Sequence, residues 1–218
     1  MQYNTAMDTS LLGLIYLVFA LIMALTLHEF AHALMGNWLG DETARREGRL
    51  SLNPLAHIDP VMTVLLPAFL IVFHSPVVFG AARPVPYNPW ALRYGKWGAA
   101  LVAAAGPAMN LILAIFFALW LRFIPVTTTF LPLFIAIISI NITFMVFNLI
   151  PLPPLDGSRI AYAALPPIRP LFDQLERYGI MIIFGLFLIA SPILSPLIGA
   201  ASSAILQLLV PGLTGFST

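Results

Sequence analysis

The sequence has no cysteine, which excludes disulfides and thiolate metal sites and leaves the redox compartment open. Charge is nearly as scarce: 9% of residues are Asp, Glu, Lys or Arg, against about 25% in soluble domains. Not one acidic residue lies between Asp59 and Asp156. A formal net charge of +1 gives no electrostatic basis for binding nucleic acid. The opening residues "MQYNTAMDTS" lack the positive region of a cleavable signal peptide, so the apolar run behind them is expected to remain as a helix. In place of charge, 60% of the residues are hydrophobic and the mean hydropathy is +0.95. Such a chain belongs in a bilayer, and its length fits a single domain over residues 1–218.

Apolar stretches fall at about 11–36, 61–82, 98–121, 130–150 and 178–198, with a shorter one near 199–213. About 20 apolar residues are needed for a helix to span. The expected fold is an all-α polytopic membrane protein of four to six transmembrane helices. The stretch at 61–82 contains Pro67, His74 and Pro76, which predicts a broken, re-entrant segment buried among other helices. Between the first two stretches, "TARREGRLSL" followed by Asn53-Pro54 predicts a small re-entrant β-hairpin over 43–52. No internal repeat is evident.

The first stretch ends in "LHEFAHALMG", residues 27–36. Ionisable groups at membrane depth are expensive and mark function by default. On a helix, His28 and His32 lie one turn apart on one face, so both imidazoles can reach one ion. Glu29 is rotated by roughly 100° and can address a water on that ion without ligating it. This is the HExxH arrangement of zinc hydrolases, two ligands and a general base. A catalytic zinc takes a third protein ligand and keeps one position open. His57 and His74 could supply a nitrogen. Asp156, in "NLIPLPPLDG", is the better oxygen ligand, because Pro151, Pro153 and Pro154 forbid a regular helix there and Gly157 permits a tight turn.

Together, "HEFAH", "GPAMN" at 106–110 and "NLIPLPPLDG" resemble the site-2 protease family of intramembrane zinc metalloproteases, over about residues 11–170. The segments "LNPLAHIDP" and "ARPVPYNP" resemble its compact bacterial members, without an inserted PDZ or appended CBS domain. The resemblance implies one Zn2+ held by His28, His32 and Asp156, and Glu29 as catalytic base. It implies Asn148 beside the reacting carbonyl, and Gly106, Pro107 and Asn110 as a packing motif rather than chemistry. It implies a substrate that is a transmembrane helix of another protein, cut after local unwinding. The expected hairpin would offer that unwound strand an edge for main-chain pairing. His57, just past that hairpin, would bind substrate, hydrogen-bond near the zinc or be structural, and His74 is expected to be structural. The catalytic core is then about 11–170, with C-terminal helices over 178–213.

For one ion to be shared, His28, His32 and Asp156 must lie at one depth, so the helices ending near them run parallel. The segment 61–82 must then enter and return on one side. That topology puts Arg45, Arg46, Arg49, Arg83, Arg93, Lys96, Arg159, Arg169 and Arg177 on one face and only Arg122 on the other, as the positive-inside rule requires. The N-terminus is expected outside and the site toward the cytoplasmic side of a prokaryotic cell membrane. Membrane lipids are the surrounding partner, and a regulatory partner or a homo-oligomer stays open. The competing readings are a metal transporter or a non-proteolytic metal-binding membrane protein, and a catalytically dead relative. A transporter, however, has no need of Glu29 and usually carries internal repeats.

Overall fold

In hydrocarbon the backbone has no water to bond, so an apolar stretch satisfies its N–H and C=O groups internally as a helix. The computed structural model describes residues 11–65, 69, 72–73 and 82–211. Its helices are α1 (Leu11–Trp38), α2 (Thr43–Arg46), α3 (Lys96–Phe123), α4 (Leu131–Asn148), α5 (Asp156–Ala164) and α6 (Arg169–Leu209). Among the described residues, four segments are long and apolar enough to cross a membrane: α1, α3, α4 and Pro192–Leu209 within α6. The chain is therefore an integral membrane protein. The stretches at 178–198 and 199–213 are not two helices. As far as Leu209 they belong to the single helix α6, which continues through Pro192 and Pro196.

The helices turn small residues inward and large ones outward. Ala20, Ala24, Ala31 and Ala33 of α1 are buried, as are Ala100, Ala103, Ala114 and Ala118 of α3. Leu14, Ile15 and Phe19 of α1 and Ile112, Phe116 and Leu119 of α3 are exposed. Between membrane helices, small residues let backbones approach while large apolar side chains meet lipid. One core joins Ala114 and Ala118 of α3 to Ile138 and Ile142 of α4 and Leu206 of α6.

Hydrogen bonds fix which ends lie together. At one end of α1, the Tyr16 hydroxyl donates to the Thr129 carbonyl in the α3–α4 loop at 3.1 Å. At the other end, the Arg93 amide donates to the Leu39 carbonyl at 2.8 Å, and Leu39 and Leu92 pack on Val102. Residues 39–95 thus leave α1 and enter α3 at the same end, and α3 runs back against α1.

Within that segment the structure corrects the expected β-hairpin over 43–52. Thr43–Arg46 is the short helix α2, and no strand occurs among the described residues. The cause lies outside the segment. Asp41 Oδ1 accepts from the Thr43 amide at 3.0 Å and from its hydroxyl at 2.5 Å, starting a turn that Ala44 and two arginines continue. Gly48, at φ 70°, then folds the chain so that the Arg49 amide reaches the Ala44 carbonyl at 2.7 Å. No strand edge is left there for a substrate. The following "LNPLAHIDP" forms two capped turns. Asn53 Oδ1 accepts from the Leu55 amide at 3.1 Å, and Asp59 Oδ1 from the Val61 and Met62 amides at 2.9 and 2.8 Å. Asp59 opens a π-helical turn over Pro60–Leu65. Pro67, His74 and Pro76 of the expected broken segment lie outside the described residues.

Arg49 ties this segment to the next. It is buried, and its Nη2 donates to the Arg83 carbonyl and to that of Pro84, the latter at 3.4 Å. Burial and the neighbouring charge of Arg83 pull its pKa below the ordinary arginine value, while Glu29 and Glu47 oppose that shift. The guanidinium stays cationic all the same.

Candidate metal centre and active site

His28 and His32 lie one turn apart in the C-terminal half of α1, and both are buried. Asp156 is the first residue of α5, beyond the irregular stretch that its prolines force after α4. Two turns shape that stretch: the Leu152 amide bonds the Ile150 carbonyl at 2.8 Å and the Leu155 amide bonds that of Leu152 at 2.9 Å. Ser158 Oγ closes it by donating to the Leu155 carbonyl at 2.6 Å. Gly157 is required by space, because a Cβ there would sit 2.2 Å from the Leu149 carbonyl oxygen. Gly157→Ala is therefore expected to displace Asp156 and lower zinc content to well below that of the wild type, which metal analysis of the purified protein would check. Full zinc occupancy in that variant would show that the loop can yield.

These elements bring three ligand atoms together. His28 Nε2 and His32 Nε2 are 3.0 Å apart, and Asp156 Oδ2 lies 3.1 Å from the first and 3.3 Å from the second. Among the described residues, this is the group of His, Asp and Glu side chains able to hold a metal ion. His32 Nδ1 is 2.7 Å from the Val102 carbonyl, which can only accept, so Nδ1 carries a proton and, in the neutral ring, Nε2 has the lone pair a metal needs. His28 Nδ1 lies 2.6 Å from Asn110 Oδ1 and donates there in the same way. Asp156 Oδ2 is buried and has no polar partner besides the two imidazole nitrogens.

Two lone pairs and a carboxylate oxygen converging at 3.0–3.3 Å repel one another unless a cation lies between them. The spacing fits zinc. Four ligands at about 2.0–2.1 Å in a tetrahedron are separated by about 3.3 Å. The second ring nitrogen of each histidine is anchored to an oxygen, the arrangement that fixes metal-ligating imidazoles. Phe144 of α4 packs edge-on against His28 with ring centroids 5.0 Å apart.

Glu29 is buried on the adjacent face of α1 and is not one of the three converging groups. Asn148 donates through Nδ2 to the Phe144 carbonyl of its own helix at 3.0 Å, and no described contact joins it to the three. His57 is fully buried. Its Nε2 donates to the Ser51 carbonyl at 2.7 Å and its own carbonyl accepts from the Arg83 amide at 2.9 Å. It fastens the 51–57 turn to the segment before α3 and stands outside the metal group. Sequence reasoning treated Gly106 and Asn110 as packing alone, yet both touch the histidines. A Cβ on Gly106 would lie 2.4 Å from His32 Nε2 and 2.6 Å from His28 Nε2. Asn141, which bonds Asn110, was missed altogether. Its signal was a lone amide in the apolar run "FIAIISINITF".

Comparison with known proteins gives the family. The family model described as peptidase family M50 matches residues 125–190. YwhC of Bacillus subtilis (strain 168), whose given name is that of a zinc metalloprotease, is 40% identical over 205 residues, 88% of this chain and 90% of its own length. The chain belongs to peptidase family M50. The resemblance to site-2 proteases carried by "HEFAH", "GPAMN" and "NLIPLPPLDG" is thereby borne out. Two further M50-like relatives are the Rip2 proteins, likewise named as zinc metalloproteases. That of Mycolicibacterium smegmatis is 32% identical over 75% of this chain and 61% of its own length. That of Mycobacterium tuberculosis H37Rv is 31% identical over 77% and 64%. The chain thus spans somewhat under two thirds of the Rip2 proteins. No solved structure matches it.

Proposed function

We propose that this zinc metalloprotease of family M50 hydrolyses peptide bonds in or beside the transmembrane helices of other membrane proteins, with one zinc ion held by His28, His32 and Asp156. The observation that carries the reading is the convergence of three ligand atoms, two imidazole nitrogens and a carboxylate oxygen, within 3.0–3.3 Å. Zinc, when bound, supplies a Lewis acid and a water whose pKa is brought near neutrality. Glu29 accepts the proton of the attacking water and passes it to the leaving amine. Asn148 uses one Nδ2 hydrogen on Phe144 and has a second for the oxyanion that develops on the scissile carbonyl. Such a donor contributes about 2.7–4 kcal/mol when well placed.

The site lies toward the cytoplasmic side, with the N-terminus outside. This is supported by the shared end of α1 and α3, where Arg45, Arg46, Arg83, Arg93 and Lys96 gather, and by Arg122 in the last turn of α3 at the opposite end. The absence of native cysteine makes the test clean. Single cysteines placed at residues 45, 93 and 96 of the protein in intact cells are expected to resist an impermeant maleimide, while one at 127 reacts. The reverse pattern would invert the topology.

The activity itself is tested by incubating the purified protein, zinc-loaded, with a panel of tagged transmembrane helices in detergent. Cleavage together with one zinc per chain is the expected result. Zinc without cleavage of any helix would favour a metal-binding membrane protein instead.

A further inference from the structure

Beside the metal group a second polar cluster lies wholly inside the helix bundle. Asn110 of α3 and Asn141 of α4 are both fully buried, in a region where polar side chains are rare and need partners. Asn141 Nδ2 donates to the Ile137 carbonyl of its own helix at 2.8 Å. Asn110 Nδ2 donates to Asn141 Oδ1 at 2.8 Å and to the Ala24 carbonyl of α1 at 3.3 Å. Asn110 Oδ1 then faces His28 Nδ1 at 2.6 Å. Three helices meet in one chain of hydrogen bonds.

The direction of that chain is not free. A backbone carbonyl only accepts, so Ile137 obliges Asn141 to present its nitrogen there and its oxygen to Asn110. Asn110 must answer with nitrogen, as the Ala24 carbonyl also demands, and so turns its oxygen to His28. An amide oxygen can only accept, hence His28 must carry its proton on Nδ1. Were Asn110 flipped, its oxygen would oppose both Asn141 Oδ1 and the Ala24 carbonyl. Its nitrogen would then draw the His28 proton to Nε2, the atom that faces His32 and Asp156.

We propose that Asn141 is a positioning residue of the metal centre: through Asn110 it holds His28 in the Nδ1–H tautomer, so that the Nε2 lone pair is presented before any metal arrives. The inference rests on the reading of His28 as a zinc ligand, but the tautomer is a property of the metal-free chain. It also gives α4, which carries Asn148 but no metal ligand, a share in ordering the metal group. A histidine without such a partner divides itself between two tautomers, one of which must rearrange before it can ligate. Loss of an outer hydrogen-bond partner lowers metal affinity by roughly 10–100-fold.

The experiment is 15N spectroscopy of histidine-labelled, metal-stripped protein in detergent, with zinc titration of the same samples. The His28 signals are assigned by their loss in His28→Gln. In the wild type, His28 is expected as the Nδ1–H tautomer, and finding Nε2–H would overturn the proposal without any Asn variant. Asn141→Leu, close in size but without polar atoms, is expected to show mixed tautomers and about tenfold weaker zinc binding, with elution and melting like the wild type. An unchanged tautomer and affinity in the folded variant would overturn the proposal. Asn141→Asp, as a buried neutral acid, can still accept from Asn110 and donate to Ile137, so it is expected to keep the wild-type tautomer and affinity. Losing both would show that the ladder is not what orders His28. If Asn141→Leu does not fold, the wild type and Asn141→Asp decide. Wild-type protein that binds no zinc would sink the metal reading, while its His28 tautomer would still test the ladder.

Discussion

Glu29→Gln is expected to retain one zinc per chain and to lose cleavage of a transmembrane-helix substrate by roughly 10²–10⁴-fold. The expectation comes from the separation of two jobs on one helix. His28 and His32 share the face that meets Asp156, whereas Glu29, about 100° around the helix, is buried but stands apart from the ligand set. An amide has nearly the shape of the carboxylate, so packing within α1 is preserved. It cannot accept a proton from water, so the step assigned to Glu29 fails. Zinc content by metal analysis and product formation from a tagged helix, measured on the same preparation, separate the alternatives. A variant without zinc would make Glu29 a ligand or a structural support. A variant with unchanged cleavage would remove it as the base.

The parts of this site that were legible in the sequence are those encoded locally. His28, Glu29 and His32 fall within five residues, and helical periodicity alone says which of them share a face. Asp156 was legible because prolines and Gly157 surround the first acid to appear after Asp59. The shared end of α1 and α3 was legible because one ion cannot be reached from two depths.

What was not legible depends on partners distant in the chain. Thr43–Arg46 is a helix because Asp41 holds the Thr43 amide and also binds the Asn88 amide at 2.6 Å, a contact that no window around Thr43 contains. Alternation of polar and apolar residues in "GRLSL" suggested a strand, but the strand had no partner. Gly106 and Asn110 looked like packing because their contacts with the histidines span more than 70 positions of sequence. His57 allowed two readings in the sequence, one beside substrate or zinc and one structural. Its bonds to Ser51 and Arg83 account for it as a fastening between two loops.

Gly106→Ala is expected to remove most of the bound zinc, and with it the activity, from a protein that still folds. The added methyl would sit 2.4 Å from His32 Nε2 and 2.6 Å from His28 Nε2 and Cε1, against about 3.5–4.0 Å for comfortable contact. Neither ring can yield by rotating, because each is fixed by its Nδ1 bond to α3 itself: His32 to Val102 at 2.7 Å and His28 to Asn110 at 2.6 Å. Relief therefore requires α3 to withdraw from α1 by about 1 Å, which carries the two anchors away and loosens both imidazoles. A displacement of that size costs on the order of 10² in function where geometry matters, while the overpacking itself costs about 1–3 kcal/mol of stability. Gly36, one turn beyond His32, supplies the control. A Cβ there meets nothing within 4 Å, so Gly36→Ala is expected to hold its zinc and to gain up to about 1 kcal/mol from helix propensity. Zinc content and melting of the two variants side by side isolate the ligand face from helix packing in general. A Gly106→Ala protein with full zinc and full cleavage would mean that α3 does not press on the imidazoles. The face of α1 that holds the metal would then have to be sought against another helix.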